Sequence, residues 1–375
     1  MSPLAPTRRQ LLATAPAVLA PTLLAGACTE LQRSDRSALL GATLRLRAEA
    51  RGLFFGAAAN RTSLADRAFA ATYTAEVGVL VPETEMKWRA LRPTEGAFTF
   101  GSADALMDFA AGANLRARGH TLVWHEAWPE WLDAALSAGR AAAVLEQHIE
   151  RVVSRYRGRM HSWDVVNEAI RLQDSPGHLR QTPWLEALGP RYLDIAFRTA
   201  RAADPQALLV YNDFGLDDAS PADSAKRAAV LDLLSDLKAR GVPVDAVGTQ
   251  AHLRAGQVID QGALAQFARS VAQLGLKLIV TELDVRDHGI SGTLEERDRA
   301  IADHARRFLD PILAEPATIG VVTWGLSDRY SWLNGPRAER RSDGQPQRGL
   351  PLAPDLARKP LWGAIARALD DAPRR

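Results

Sequence analysis

The sequence has 375 residues, of which 47% are hydrophobic and 24% are charged; this is ordinary for a soluble globular protein and provides enough apolar residues for a large core. The formal net charge is +2, and Arg8 and Arg9 are the only charges before Cys28, so the chain after that segment is neutral, which argues against a nucleic-acid partner. With one cysteine, no disulfide can form within the chain, so the core alone must stabilise the fold in an oxidising compartment.

Residues 1–28 are predicted to be an export signal. Arg8 and Arg9 precede an apolar stretch, and small residues lead to Cys28. The sequence TRRQLL resembles a twin-arginine signal, with a general secretory signal as the alternative. LLAGAC resembles a lipoprotein box, which would place a lipid anchor on Cys28; simple cleavage is the alternative. The mature chain would be extracellular, periplasmic or membrane-anchored, and no later segment is long and apolar enough to span a membrane.

Residues 36–372 are predicted to form one domain. Short apolar runs of β type recur along it, each followed by a helical stretch such as 224–241. The runs are LFFGAAA (53–59), VGVLVPE (77–83), RGHTLVW (118–124), SWDVVNE (162–168), ALLVYND (207–213), AVGTQAH (246–252), KLIVTELD (277–284) and IGVVTWG (319–325). This alternation predicts a parallel α/β fold, most simply a (β/α)8 TIM barrel. A doubly wound sheet is the alternative, although no Gly-rich phosphate loop follows the first run.

Polar and aromatic residues gather at the carboxyl ends of nearly all these runs. They are Glu83, His120, Trp124, Asn167, Glu168, Asn212, Asp213, Gln250, His252, Glu282, Asp284 and Trp324. In a parallel barrel these ends share one face, which is where active sites are built. The sequence therefore predicts a single site at that face.

Glu168 and Glu282 are the candidate catalytic pair. They lie 114 residues apart and can meet only through the fold. Two facing carboxylates, one of them protonated, are what cleavage of a glycosidic bond requires. Each glutamate alone would more often be a structural salt-bridge partner, and the interpretation as a pair depends on the amide and aromatic residues around them.

Asn167 and His252 have both catalytic and structural interpretations. Asn167 can hydrogen-bond a sugar hydroxyl beside the acid, or it can cap the next helix. His252 can join Glu282 and Asp284 in a network that keeps a nucleophile ionised, or it can be a core histidine. Asn212 is assigned with Asp284 to this supporting network. Gln250 lies two residues before His252, on the same face of a strand, which favours the network.

No metal or other cofactor is expected. Four histidines, at positions 120, 125, 161 and 252, invite a metal-binding interpretation. However, the sequence has no HxH or HExxH spacing, and its cysteine is remote from all four.

At these residues the chain resembles glycoside hydrolase family 10, a family of retaining (β/α)8 xylanases. The matching stretches are PETEMKW (82–88), RGHTLVWH (118–125), WDVVNEA (163–169), GTQAH (248–252), VTELDV (280–285) and TWGLSDRYSW (323–332). The resemblance implies Glu168 as acid/base and Glu282 as nucleophile. It implies a substrate-binding shell of Glu83, Lys87, His120, Trp124, Asn167, Gln250, His252, Trp324 and Trp332. Trp324 alone could instead close the barrel core, and Lys87 could be an ordinary surface lysine.

The chain departs from the family pattern at two places. Thr84 stands where the family usually has Asn, and Glu126 and Ala127 stand where it commonly has Ser-Gln. Both departures lie toward the non-reducing side of the cleft, so sugar binding there is expected to differ. Neither departure touches the catalytic pair.

The sequence thus predicts a retaining endo-β-1,4-xylanase that acts as a monomer on xylan or xylo-oligosaccharides. Retention requires the two carboxyl groups to lie about 5–5.5 Å apart. A β-1,4-glucanase or aryl-glycosidase on the same scaffold is one alternative. An exported carbohydrate-binding protein without chemistry is another, but it would have no need of two facing carboxylates.

Overall fold

The centre of the molecule is a closed, parallel β-sheet. The computed structural model describes residues 41–174, 177–336 and 338–375. Its strands are β1 (Phe54–Ala59), β2 (Val79–Pro82), β3 (Arg116–Val123), β4 (Met160–Asn167), β5 (Leu208–Asp213), β6 (Ala246–Thr249), β7 (His252–Arg254), β8 (Lys277–Arg286) and β9 (Thr318–Thr323). The order is β6-β5-β4-β3-β2-β1-β9-β8, and β6 also pairs with β8, which closes the barrel.

Helices connect the strands and surround the sheet. They are α1 (Leu44–Glu49), α2 (Arg61–Leu64), α3 (Arg67–Glu76), α4 (Trp88–Leu91), α5 (Gly101–Gly112), α6 (Trp131–Ser137), α7 (Ala141–Arg155), α8 (Pro183–Leu188), α9 (Arg191–Ala203), α10 (Pro221–Ala239), α11 (Gln261–Gln273), α12 (Leu294–Leu313) and α13 (Pro360–Asp371). Two short 3-10 helices, Asp328–Tyr330 and Trp332–Asn334, follow β9.

The predicted (β/α)8 barrel is confirmed, and one predicted strand is interrupted. The run 246–252 contains β6 and the first residue of β7, which are separated at Gln250 and Ala251. Ala251 has a φ of 60°, a left-handed conformation that breaks the regular alternation of a strand. The interruption leaves β7 paired with β8 alone, as an outward continuation of β6.

The predicted helix at 224–241 starts three residues earlier than its sequence pattern indicates. The Ser220 hydroxyl accepts a hydrogen bond from the Asp223 N–H and so caps α10, and Pro221 occupies its first turn. Gly241, just beyond the helix, has a φ of 65°, a conformation that favours glycine.

The described residues form two hydrophobic cores. The larger core lies between the sheet and the helices, and a smaller one fills the barrel interior. The interior core consists of Phe54, Ala58, Val79, Val81, Val210, Ala246, Ile279, Val322 and Trp324. These apolar side chains fill much of the barrel interior, and the residues predicted for the site lie at the carboxyl ends of the strands.

The unit Thr43–Arg375 contains all of these helices and strands. Of the preceding unit, Met1–Ala42, only the last two residues are described. The predicted export signal at 1–28, with Cys28, therefore lies outside the described residues. Within the described ranges, no helix combines the length and the hydropathy needed to cross a membrane.

Candidate active site

A cleft of about 820 Å³ opens at the carboxyl ends of the strands. Its lining includes all the residues assigned from sequence to catalysis or substrate binding: Glu83, Lys87, His120, Trp124, Asn167, Glu168, Gln250, His252, Glu282, Trp324 and Trp332. Asn212 and Asp284, assigned to the supporting network, are fully buried and contact these lining residues. The fold therefore brings the two remote glutamates to the same cleft.

Glu168 directly follows β4, with its two carboxyl oxygens in different surroundings. Oε1 accepts hydrogen bonds from Asn167 Nδ2 at 3.2 Å and Gln250 Nε2 at 3.1 Å. Oε2 lies 3.7 Å from His125 Nδ1. Burial, assisted by the positive charge of Arg180, lowers the pKa of His125 to about 4, so this ring is neutral at pH 7. Because two N–H donors occupy Oε1, a proton on this carboxyl group is best carried by Oε2.

The Asn167 side chain lies in the cleft and does not cap a helix. Its amide nitrogen donates to Glu168, and its Oδ1 accepts from Asn212 Nδ2 at 2.9 Å. The next helix, α8, is capped by Thr182, whose hydroxyl accepts from the Leu185 N–H.

Glu282 projects from β8 into a set of hydrogen-bond donors. Its Oε1 accepts from Asn212 Nδ2 at 2.8 Å, and its Oε2 lies 3.3 Å from His252 Nε2. Burial alone would raise the pKa of Glu282, but the His252 hydrogen bond, nearby histidine charge and the Asn212 hydrogen bond together lower it to about 2. Glu282 is therefore ionised at neutral pH.

His252 connects Glu282 to a second buried carboxylate. Its Nδ1 lies 3.0 Å from Asp284 Oδ1, and Asp284 Oδ2 accepts from Trp332 Nε1 at 2.6 Å. Burial alone would lower the pKa of His252, but Asp284 and Glu282 raise it to about 10. The ring is thus a partly buried cation between two carboxylates, and its positive charge stabilises the ionised form of Glu282.

Asn212 on β5 connects the hydrogen-bond networks of the two glutamates. Its Nδ2 donates both to Asn167 Oδ1 and to Glu282 Oε1, and its Oδ1 accepts from Thr281 Oγ1 at 2.6 Å. A Cβ atom at Gly248 would lie 2.2 Å from Asn212 Oδ1, so only glycine leaves room for this amide. The glycine of GTQAH is therefore explained by the position of Asn212.

The cleft also holds a half-buried cation, Lys87, close to two indole rings. Asn60 Nδ2 donates to Glu83 Oε2 at 2.7 Å. Lys87 Nζ lies 4.8 Å from the Trp124 ring centroid and 5.9 Å from that of Trp324. Burial lowers the pKa of Lys87, and the charges of the surrounding glutamates oppose that shift. Lys87 is thus part of the cleft and not an ordinary surface lysine.

Two charged residues, Asp164 and Arg118, hold the His120 ring in position. Its Nδ1 lies 2.9 Å from Asp164 Oδ2, and Asp164 also forms an ion pair with Arg118. The imidazole meets the Trp324 ring edge to face, with centroids 5.1 Å apart. Trp324 therefore both packs in the barrel interior and lines the cleft, which combines the two interpretations of this residue.

Some cleft residues were not predicted from the sequence. Phe214, Arg180, His125 and Asn60 all contact the site or line the cleft. Phe214 is 39% exposed and directly follows β5, so its position after YND could have identified it. Arg180 has no comparable signal, because it lies in the connection between β4 and α8 and reaches the site only through the path of that connection.

Asp217 provides a stability prediction at the edge of the cleft. Burial raises the pKa of Asp217 to about 7, although Thr249 Oγ1 donates to it at 2.8 Å. The folded-state pKa lies above the ordinary value of 3.8, so the cost of ionising this group is absent below pH 3.8 and complete above pH 7. Asp217→Asn should therefore leave stability unchanged at pH 4 and raise the free energy of unfolding by about 1–4 kcal/mol at pH 8.

Thermal unfolding at both pH values tests this prediction. Asp232→Asn, on the exposed surface of α10, is the matched control and should have no effect at either pH. An equal change in the unfolding temperature of Asp217→Asn at pH 4 and pH 8 would contradict the prediction.

No metal site is found in the described ranges: no group of three or more His, Cys, Asp or Glu side chains is placed to hold an ion. Of the histidines considered for this role, His120, His125 and His252 have carboxylate neighbours. His161 contacts the Ser162 hydroxyl and the Phe54 ring.

The chain is similar to proteins of known type. The sequence model of glycosyl hydrolase family 10 matches residues 43–368. Endo-1,4-beta-xylanase 5 of Pyricularia oryzae is 34% identical over 316 residues, which cover 82% of this chain and 75% of that protein.

Solved structures agree with the sequence match. Native xylanase 10B from Thermotoga maritima superposes with a TM-score of 0.78 at 33% identity, covering 88% of this chain and 98% of that one. Xylanase 10B from Thermotoga petrophila, solved in complex with xylobiose, has the same TM-score and identity and covers 88% of this chain and 97% of its own. The chain is therefore a member of glycosyl hydrolase family 10 and a (β/α)8 glycoside hydrolase.

Proposed function

We propose that this protein is a retaining endo-β-1,4-xylanase that hydrolyses internal bonds of xylan, with Glu282 as nucleophile and Glu168 as acid/base. The observation that carries the proposal is the chain of hydrogen bonds from Glu168 through Asn167 and Asn212 to Glu282, which joins two carboxyl groups with different hydrogen-bond partners at one cleft. Relatives named as endo-1,4-beta-xylanases, and a related xylanase solved with xylobiose, support xylan as the substrate class.

In the first step, an ionised Glu282 oxygen attacks the anomeric carbon and the glycosidic bond breaks. The Glu168 carboxyl group gives its proton to the departing oxygen, so the leaving sugar keeps a neutral hydroxyl group. The His252 cation supports this division of roles, because it keeps Glu282 ionised. The product of this step is a glycosyl ester on Glu282.

In the second step, the Glu168 carboxylate takes a proton from water while the water oxygen attacks the anomeric carbon. The bond to Glu282 breaks and its carboxylate is regenerated. Two inversions give a product with the original anomeric configuration. The carboxyl separation of about 5–5.5 Å that this mechanism needs stays a prediction.

Sugar binding is assigned to the remaining cleft residues. Glu83 and Lys87 would hydrogen-bond the hydroxyls of the next sugar outward, and Trp324 and Trp332 would face the sugar rings with apolar surface. His120, Trp124, Asn167, Gln250 and His252 would surround the sugar at the cleavage point. Thr84 Oγ1 donates to Glu85 Oε2 at 3.1 Å, which supports altered binding toward the non-reducing side.

The function is tested by initial rates on xylan and on carboxymethyl cellulose, with proton NMR of the first product. We expect hydrolysis of xylan, little hydrolysis of the cellulose derivative, and the β-anomer as the initial product. Faster hydrolysis of the cellulose derivative would indicate a β-1,4-glucanase. Binding of xylan without release of reducing ends would indicate a carbohydrate-binding protein.

His252→Gln should shift the acidic limb of the pH profile upward. Burial continues to raise the pKa of Glu282 in this variant, whereas the substitution removes the His252 hydrogen bond and the His252 charge that lower it; the His120 charge and the Asn212 hydrogen bond remain. The acidic limb of kcat/KM on xylotetraose should therefore move to higher pH by about two units or more.

His288→Gln is the matched control for this profile, because His288 is outside the cleft lining and pairs with Glu339 at 3.4 Å. A His252→Gln profile that falls in height without moving along the pH axis would argue against this role of His252.

We also propose that 1–28 is an export signal and that 36–372 is the catalytic domain, which is consistent with the family match at 43–368. Metabolic labelling with palmitate, compared between the full-length chain and Cys28→Ser, tests the lipid anchor. Label that depends on Cys28 supports lipidation, and secretion of unlabelled protein supports simple cleavage.

A further inference from the structure

Arg180 holds the backbone of Glu168 in an unfavourable conformation. Glu168 has a φ of 60°, a left-handed conformation that is unfavourable for a residue other than glycine and persists only where neighbouring groups impose it. Two hydrogen bonds fix this backbone from opposite sides. The Glu168 N–H donates to the Asn212 carbonyl at 2.8 Å, and Arg180 Nε donates to the Glu168 carbonyl at 2.8 Å.

The position of Arg180 is itself fixed relative to Glu168. Its backbone N–H donates to the Ala169 carbonyl at 2.7 Å, and its neighbour Leu179 forms a β-bridge with Ile170. Arg180 therefore contacts two successive carbonyl groups, one through its main chain and one through its side chain. This clamp sets the direction in which the Glu168 side chain leaves the backbone.

The Arg180 side chain has no other evident structural purpose in the part of the chain that is described. No carboxylate there lies within ion-pairing distance of its guanidinium group. The residue also lines the cleft, and its guanidinium carbon lies 5.9 Å from the centroid of the Phe214 ring. A half-buried arginine whose side chain donates to the carbonyl of a proposed acid is placed to orient that acid.

We propose that Arg180 is a positioning residue for Glu168, acting through the hydrogen bond from its Nε–H to the Glu168 carbonyl. This inference rests on the proposed function, because it assigns Arg180 a part in proton transfer by Glu168. If the clamp is lost, the backbone relaxes toward negative φ. The carboxyl group then leaves the two amide donors that hold its Oε1 atom. An acid that moves by about 1 Å loses up to roughly 100-fold in rate.

Substrates with different leaving groups separate this role from a general structural one. The phenol of phenyl β-xylobioside needs a proton on its oxygen to leave, whereas the dinitrophenolate of 2,4-dinitrophenyl β-xylobioside leaves without one. For Arg180→Met, kcat/KM on the phenyl substrate should fall about 10–100-fold, and on the dinitrophenyl substrate less than about threefold. The kcat on the dinitrophenyl substrate should fall as well, because the second step needs Glu168 as a base, and azide should restore it.

Two further variants complete the test. Arg171→Met is the matched control, since Arg171 is exposed on the same connection and lies 3.8 Å from Asp174; both substrates should be unaffected. Arg180→Lys keeps the charge but lacks the Nε–H donor, so it should remain impaired on the phenyl substrate. It also carries the test if Arg180→Met does not fold.

Three outcomes would overturn the proposal. They are an equal loss of kcat/KM on the two substrates, no loss of kcat/KM on either substrate, or full recovery of kcat/KM on the phenyl substrate in Arg180→Lys. An inactive wild-type enzyme on both substrates would refute the proposed function instead. An active wild-type enzyme with a loss that is independent of the leaving group would refute only the role of Arg180.

Discussion

The Glu282→Ala variant is expected to lose xylan hydrolysis by about 10⁴-fold or more while keeping its affinity for xylo-oligosaccharides. Removal of the carboxylate deletes the attacking atom, but the indole rings and polar side chains of the cleft remain. Added azide can enter the space left by the side chain and attack the anomeric carbon directly. One displacement gives a glycosyl azide of inverted, α configuration.

Single-turnover kinetics, calorimetric titration with xylotetraose and NMR of the azide product measure these three properties. Glu146→Ala, on the exposed face of α7, is the control and should behave like the wild type. Normal hydrolysis by Glu282→Ala, or an azide product of β configuration, would contradict the assignment of the nucleophile.

The Glu168→Ala variant should lose about 10²–10⁴-fold on xylan, the range that general acid/base catalysis contributes. On 2,4-dinitrophenyl β-xylobioside the first step needs no proton, so a rapid burst of dinitrophenol should be followed by slow turnover. Azide should accelerate that slow phase, because an anion needs no base to activate it. The azide product should have the β configuration, since the ester on Glu282 has already inverted the centre once.

The two azide products therefore distinguish the roles of the two glutamates. Stopped-flow absorbance gives the burst, and NMR gives the product configuration. A Glu168→Ala variant without a burst, or with an α-azide, would reverse or remove the assigned roles. Glu186→Ala, on α8, is a control in the helix that follows the same connection.

These predictions follow from unequal environments of two chemically identical side chains. Glu282 contacts a histidine whose pKa is raised to about 10, and this contact helps to lower its own pKa to about 2. Glu168 meets amide donors on one oxygen and a neutral imidazole near the other. Glu282 is thus ionised and able to attack, and the second oxygen of Glu168 can carry a proton.

Local sequence patterns predicted the fold well. The apolar runs and the helical stretches between them have different periods, and each run ends in polar residues, so barrel architecture and the site face could be inferred without coordinates. The motifs around Asn167, Glu168, Gln250 and Glu282 identified the candidate catalytic residues for the same reason. Residues adjacent in sequence at a strand end stay adjacent in the folded chain.

The boundaries of helices and the interruptions of strands were less predictable from the sequence. The split between β6 and β7 depends on the left-handed Ala251, and alanine has no intrinsic preference for that conformation. The early start of α10 depends on the local hydrogen bond to Ser220. The Ala251 conformation is imposed by the neighbouring chain, so periodicity alone does not reveal it.

The sequence by itself thus determined the strand order along the chain, the face that carries the site, and the chemical types available there. Only the tertiary structure decided which oxygen of each glutamate accepts a hydrogen bond. It also decided that Asn212 donates to both Asn167 and Glu282, and that Arg180 donates to the Glu168 carbonyl. The physical reason is that these contacts join residues from different strands and connections. Their distances depend on barrel closure and on the path of each connection, which no local pattern of residues encodes.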